Sequence, residues 1–358
     1  MTTFDPTKFE LTPEQQASIP RFLRQQITAK PRSVTKQDVD LKGKTAIVTG
    51  SNTGVGLETA RQLLDLGISR LILAVRNVEK GTAAKTDLAD GRDLTDSNNT
   101  IEVWQLDMAD YDSIRAFAAR AGKELTRLDI VVLNAGIGPI ARIFNERTGH
   151  DEVIQVNYLS TALLAILLLP VLKRSKQVTG SVGRLTVVAS ELAAVTKFKE
   201  ATTSPPPVSI LAALDDKNTK VDMLDRMMVS KLLQQFFVVK IATVVSPDVA
   251  IINSVSPGSV YGTEFNRDRK GTVAGAVAGV VMKLMANPPP VGARMITDAA
   301  VLHGEETHGQ FLSFQNIVPM PLIIYQPEGE RILEQLWKET LAELSFAGVN
   351  VILRQLTD

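Results

Sequence analysis

Residues 45–56, Thr-Ala-Ile-Val-Thr-Gly-Ser-Asn-Thr-Gly-Val-Gly, leave a chain little freedom of fold. A short apolar run, Ala46-Ile47-Val48, enters a glycine-rich turn, and an amphipathic helix, Leu57 to Leu66, leaves it. Gly67 stands where helices usually stop. A strand that ends in glycines and opens a helix is the first half of a parallel βαβ unit.

The same alternation runs on. Further short β-rich runs are Leu71–Val75, Ile101–Leu106, Ile130–Leu133, Leu185–Val188, Ile251–Val255 and Gln310–Phe314. Between and after them lie a long helix from about Glu152 to Leu172, a helix over Leu224–Thr243 and a terminal amphipathic helix over Glu328–Leu344. Strands without period-two polarity, alternating with helices, predict an α/β fold of Rossmann type. The expected form is a doubly wound, seven-stranded, mostly parallel sheet with helices on both faces. Nothing repeats and no linker divides the chain. The expectation is a single domain over residues 43–358, preceded by an arm, 1–42, with a helical stretch from Pro13 to Gln26.

Two stretches break the rhythm, 191–226 with its Ser204-Pro205-Pro206-Pro207, and 259–296 with Pro288-Pro289-Pro290. Both leave from carboxyl ends of strands, where open α/β sheets bind ligands. They are expected to form a substrate pocket. Val208, Ile210, Leu211, Val273, Val277, Val280, Val281 and Met282 suggest a bulky, apolar small molecule as its occupant.

Composition removes several classes of function. Lys+Arg and Asp+Glu are 39 each with no long run of either sign, so neither nucleic acid nor an anionic membrane is indicated. The absence of cysteine excludes disulfides, thiolate nucleophiles and cysteine-held metals. The three histidines, His150, His303 and His308, are scattered, so no metal site is expected. No secretory signal is visible, and the apolar run Leu163–Leu172, which contains Pro170, falls short of the ~20 residues that span a bilayer. A cytoplasmic protein with no membrane span is expected.

The turn Gly50-Ser51-Asn52-Thr53-Gly54-Val55-Gly56 has the context of a phosphate loop: its free N–H groups and the helix dipole favour a diphosphate. With this spacing the chain resembles the short-chain dehydrogenase/reductase family from about Gly43 to Glu343. Other elements fall in family order: Asp107-Met108 after the third strand, Asn134-Ala135-Gly136 after the fourth, Asn157 in the long helix, Ser190 after the fifth strand, Lys231, and Pro257-Gly258 after the sixth. The segments Phe22–Gln26 and Glu305–Gly309 look most like reductases of filamentous-fungal biosynthetic pathways. The resemblance implies that Asp107 contacts adenine, Asn134, Ala135 and Gly136 line the cofactor, and Pro257 and Gly258 face the nicotinamide. The resemblance leaves monomer or homodimer open: family members often pair through the helices near Asn157 and Lys231, and some forms with long C-terminal segments are monomers.

Cofactor choice is read locally. No acidic residue lies in Leu71–Val78 to accept the ribose 2′-hydroxyl; Arg76 stands there, with Lys80 beyond it. A guanidinium grips a 2′-phosphate, so NADP(H) is expected over NAD(H).

In the resembled family a tyrosine four residues before the lysine protonates the substrate carbonyl. The lysine lowers its pKa and holds the ribose, a serine polarises the substrate, and an asparagine positions a relay water. Asn157, Ser190 and Lys231 match; the tyrosine position is Met227, which has no dissociable proton. Of Tyr111, Tyr158, Tyr261 and Tyr325, only Tyr261 falls near the nicotinamide segment, and Glu191 is the other candidate donor. Three functions fit. One is an oxidoreductase whose substrate, an iminium or conjugated system, needs no phenol. The second is a redox-neutral cyclase or isomerase with the cofactor as pocket wall, and the third a cofactor-binding protein without catalysis.

Overall fold

β1 (Thr45–Thr49) is buried along its whole length, and its side chains part to opposite sides of one sheet. Ile47 joins the core on one face, Ala46 and Val48 the core on the other. β2 (Arg70–Val75) and β4 (Ile130–Leu133) split in the same way: Ile72, Ala74, Val131 and Leu133 against Leu71, Leu73, Ile130 and Val132. Strands apolar on both sides require helices on both sides, and the sheet has them. The computed structural model describes residues 5–92, 99–203, 205–261 and 286–357.

With β3 (Thr100–Gln105), β5 (Gly183–Val188), β6 (Ala250–Ser256) and β7 (Phe311–Ser313), seven strands run parallel, in the order β3-β2-β1-β4-β5-β6-β7. The expected count of seven falls one short. Asn316–Val318 forms an eighth, antiparallel to β7, through a tight turn at Phe314-Gln315. A three-residue strand carries too little pattern to be read from sequence. The order reverses between β1 and β4, and this switch point sets where the crevice opens.

The helix expected to start at Leu57 begins at Gly54, inside the glycine turn, and runs to Asp65. The long helix extends from Glu152 to Thr179 and interrupts its α-geometry once, with a π turn at Gln155–Leu159. It continues past Pro170 and stops at Gly180. Together with Met223–Val244 it is long and apolar enough to cross a bilayer, so shortness does not argue against a span. Burial does: 89% and 67% of their apolar windows lie inside the domain.

Two expectations about loops change. Residues 289–296 of the second excursion belong to a core helix, Pro289–Val301, which packs on the Gly54–Asp65 helix; Pro at its start is a helix signal, not decoration. Residues 262–285 lie outside the described residues. The arm's helical stretch is two helices, Pro13–Gln16 and Ile19–Thr28, because Ser18 caps a second start with Pro20 in its first turn. Behind the terminal helix Pro327–Glu343, a further helix, Val349–Thr357, buries Val349, Leu353 and Leu356, and packs on Ser160–Thr179.

Candidate active site

At the switch point the carboxyl ends of β1 and β4 are tied together. Asn134 Nδ2 donates to the Thr49 carbonyl at 2.9 Å, and the amides of Asn134 and Ala135 both donate to Thr49 Oγ1 at 2.9 Å. Ser51 is buried, its hydroxyl bound to the Val48 carbonyl at 2.8 Å. Gly50 adopts φ +64°, and a methyl group built on Gly56 would stand 2.4 Å from the Gly50 carbonyl oxygen. The helix start therefore lies directly on the turn. Thr53 makes no side-chain cap, so the first-turn amides of Gly54, Val55 and Gly56 keep their donors. Asn52, Thr53 and Gly54 are partly exposed above them. An uncapped helix start against a glycine cradle suits a diphosphate.

Lys231 lies one turn beyond Met227 on the helix Met223–Val244, on the same face. It is 7% exposed, and its Nζ donates to the Val188 carbonyl at 2.7 Å. Burial lowers its pKa to about 8. Gly136 brings β4's end to the same point: a methyl group there would sit 3.1 Å from Asn157 Oδ1 and 3.7 Å from Lys231 Nζ. Asn157 lies in the π turn, a feature that often marks a functional position. Its Oδ1 accepts from the Ile137 amide at 2.8 Å; its Nδ2 donates to the Ile137 carbonyl and to Ser230 Oγ, each at 3.0 Å. Its backbone carbonyl, the group implied to hold a relay water, accepts instead from Gln234 Nε2 at 2.6 Å. Sequence reading missed Gln234 and Ser230, although three- and seven-residue spacings from Lys231 and Met227 put Gln234 on their face.

Ser190 follows β5 two residues after Val188 and caps the short helix Glu191–Val195, its hydroxyl accepting from the Leu192 amide at 3.2 Å. Met108 is buried beside the long helix, its carbonyl accepting from Ser160 Oγ at 2.6 Å. Asp107 Oδ1 accepts from the Ala109 amide at 2.9 Å. Pro257 and Gly258 turn away from β6, with Gly258 N donating to Ser256 Oγ at 3.1 Å.

Two of the four phenols are committed elsewhere by hydrogen bonds, and a third is packed away from the site. Tyr158 OH pairs with Thr340 Oγ1 at 2.6 Å, Tyr325 OH accepts from the Met320 amide at 2.9 Å, and Tyr111 is half-buried against Phe346, its pKa pushed up by desolvation. Tyr261 is pinned by backbone bonding to Asn287 at 3.1 Å, at the border of the described residues. Glu191 is bound to the N-terminal arm, with Gln16 Nε2 donating to its Oε1 at 2.9 Å.

The 191–226 excursion is folded down rather than loose. Arg142 donates to the carbonyls of Leu214, Asp216 and Thr219 and pairs with Asp151 at 2.9 Å; the fully buried Arg226 pairs with Asp151 and Glu200. Ile210 and Leu211 are core residues and Val208 is exposed, so none of them lines a pocket; the other apolar residues expected there lie outside the described residues. A recess of about 580 Å³ does open here, with Lys197, Glu200, Thr219, Asp222 and Met228 among its walls. Charged side chains rim it, while most of its exposed lining is apolar.

His150 staples this excursion to the C-terminal helix, Nδ1 to Asp215 at 2.6 Å and Nε2 to Glu343 at 3.0 Å. Burial alone would lower its pKa, but the two carboxylates outweigh burial and lift it from 6.5 to about 9. A raised folded-state pKa stabilises fully below the unfolded value and loses that stability as pH rises through the folded one. Denaturant unfolding should therefore show the gap between wild type and His150→Gln shrinking by up to about 3 kcal/mol from pH ~6 to ~9.5. A gap independent of pH would remove the charged staple.

Arg76, at β2's carboxyl end, is exposed and makes no ion pair among the described residues; Lys80 is exposed one turn into the helix Val78–Ala89. Among the described residues no group of histidines and carboxylates is placed to hold a metal.

Comparison with known proteins agrees with this geometry. The family described as short chain dehydrogenase matches residues 44–202. The short-chain dehydrogenase fogG of Aspergillus ruber is 44% identical over 98% of this chain and 99% of its own length. The short chain dehydrogenase/reductase mfmJ of Annulohypoxylon moriforme is 42% identical over 97% and 98%. Among solved structures, a short-chain type dehydrogenase/reductase from Mycobacterium marinum superposes with TM-score 0.57 at 18% identity, covering 82% of this chain and all of that one. RhlG of Pseudomonas aeruginosa, solved as an NADP complex, gives TM-score 0.57 at 20% identity, over 77% of this chain and 98% of its own. At that identity the solved structures speak for the fold alone, while the sequence relatives span nearly the whole chain. The chain belongs to the short-chain dehydrogenase/reductase family, whose members use nicotinamide dinucleotides.

Proposed function

We propose that the protein is an NADP(H)-dependent oxidoreductase acting on a bulky organic intermediate that accepts hydride without a phenol's proton. The observation that carries this reading is Met227 on the face of Lys231, with Gln234 occupying the Asn157 carbonyl. The amides of Gly54, Val55 and Gly56 hold the diphosphate, Asp107 the adenine, and Asn134, Ala135, Gly136, Pro257 and Gly258 the nicotinamide half. Arg76, helped by Lys80, takes the 2′-phosphate, as a solvated guanidinium with no competing carboxylate among the described residues can. Lys231, fixed on Val188, anchors the ribose, and Ser190 polarises the substrate.

When bound, the reduced nicotinamide supplies a hydride. An iminium carbon takes it while the C=N π pair becomes a nitrogen lone pair, giving a neutral amine with no proton required. A conjugated alkene takes its proton afterwards from water. A second reading, a redox-neutral cyclase or isomerase, is favoured by the same methionine, which adds an apolar, adaptable surface on the face of Lys231.

The purified protein, its pathway intermediate and NADPH decide between them. Loss of the reduced nicotinamide's near-ultraviolet band, mole for mole with product, is expected. Product without that loss moves the assignment to the redox-neutral reading, and no product at all sinks both. In the same titration NADPH should bind more tightly than NADH, and Arg76→Glu should cut NADPH affinity at least about tenfold; tighter NADH binding by the wild type would refute the cofactor choice.

A further inference from the structure

The N-terminal arm does not lie idly on the domain. It crosses the carboxyl ends of β5, β6 and β7, the edge at which open α/β sheets receive ligands. Gln16 meets Glu191 just past β5. Gln26 lies against the turn after β6, so close that a methyl group on Gly258 would stand 2.7 Å from Gln26 Nε2. Farther along, Arg32 and Gln315 exchange two hydrogen bonds at 2.8 and 3.0 Å across the turn after β7, and Arg294 donates to the Pro31 carbonyl at 3.1 Å. The arm is fastened at both ends over that edge.

Beneath it, polar atoms are left over. Gln16 Oε1 and Gln26 Nε2 make no hydrogen bond, although these residues are only 3% and 4% exposed. Gln235, from the lysine helix, is wholly buried; its Nε2 donates to the Ser190 carbonyl at 3.2 Å and its Oε1 has no partner. Arg21 approaches Glu191 Oε1 at 3.8 Å without closing a hydrogen bond. Burial shifts the Glu191 carboxyl towards its neutral form, against the pull of the Ser313 hydroxyl, Arg21 and Gln16. Natural proteins pair nearly all buried polar groups, so unpaired ones strung along a ligand-binding edge indicate a missing partner.

We propose that the arm is a wall of the substrate site, and that Gln16, Gln26, Glu191 and Gln235 together bind a hydroxyl-bearing end of the substrate. The orphaned set contains an amide donor and amide acceptors. A hydroxyl both donates and accepts, and so complements it; a carboxylate or an ammonium does only one. The alternative occupant is ordered water, which satisfies buried polar groups in many proteins. The inference rests on the carboxyl edge being the substrate site, but not on hydride transfer.

The test uses the full chain with NADPH present and two fluorinated probes, 4-fluorophenol and fluorobenzene, followed by fluorine NMR. Neither probe is reduced, so failure of the redox assignment leaves the outcome readable. The phenol should bind at least about fivefold more tightly than the hydrocarbon, the range one or two hydrogen bonds supply. Gln26→Met and, separately, Gln16→Met keep side-chain length but remove the amides. Each should abolish the preference without abolishing NADPH binding, and each should lower the thermal midpoint by a few degrees, because Glu191 loses the amide of Gln16 and Asn287 that of Gln26. If one variant misfolds, the other still decides. Equal binding of the probes, binding of neither, or a preference that survives both variants would overturn the proposal and leave the orphans to water.

Discussion

Replacing Met227 with tyrosine should give the protein carbonyl reduction, raising NADPH consumption on an activated ketone by about 10²–10⁴-fold over wild type. That range is what a placed general acid is worth, roughly 3–5 kcal/mol of barrier. The partners of such a phenol are already in position. Lys231 Nζ is fixed at 2.7 Å from the Val188 carbonyl, and Ser190 lies two residues beyond it. Lys231 has no carboxylate pulling on it, and its lowered pKa comes from burial alone. A neighbouring phenol would share that dry environment and so depend on the ammonium for its acidity. Gln234 remains an obstacle, because it fills the carbonyl of Asn157. Combining Met227→Tyr with Gln234→Ala should therefore exceed the single variant if protons reach the phenol through that carbonyl. A folded, NADPH-binding Met227→Tyr protein with no gain on any ketone would show that position 227 does not face the reacting carbon.

Gly56→Ala should be among the most damaging single-methyl changes in the chain. The new carbon would stand 2.4 Å from a backbone carbonyl and 2.5 Å from Asn134 Nδ2, inside contact distance for both. The carbonyl belongs to Gly50, itself held at φ +64° and hydrogen-bonded through its amide to Ala74 at 2.8 Å, so it has no easy direction to retreat. Overpacking of this kind costs about 1–3 kcal/mol. It also lifts the helix start off the turn that would seat a diphosphate. Differential scanning should show a midpoint several degrees lower, and a titration NADPH affinity down roughly tenfold or more. Gly122→Ala is the control: a methyl group there meets nothing within 4 Å, so the helix should gain about 0.5–1 kcal/mol. Were Gly56→Ala to bind NADPH as wild type does, the glycine turn would not be the phosphate seat.

The sheet and the glycine turn were legible because their signals are local. Ile130–Leu133 is found as read, and the other parallel strands lie within two residues of their apolar runs. Asn157 and Lys231 both come close to Gly136 at the end of β4, as the order of elements led one to expect. Contacts that join distant segments were not legible. Nothing in the sequence near Gln16 or Gln26 announces the strands they cover, since an amide reads the same on a surface as over a ligand-binding edge. The Gln234 bond to Asn157 depends on a π turn, which has no composition of its own. The apolar residues at 208–211 misled in another way. They signal burial, and the core took Ile210 and Leu211 without making a pocket of them.

The helix Val349–Thr357 lies along Ser160–Thr179, with Lys173 Nζ bound to the Gln355 carbonyl at 2.6 Å. Its buried side, Val349, Leu353 and Leu356, covers an apolar side of that helix. The polypeptide thus brings its own chaperoning cover, and association of two copies along that flank would first require the tail to be peeled back.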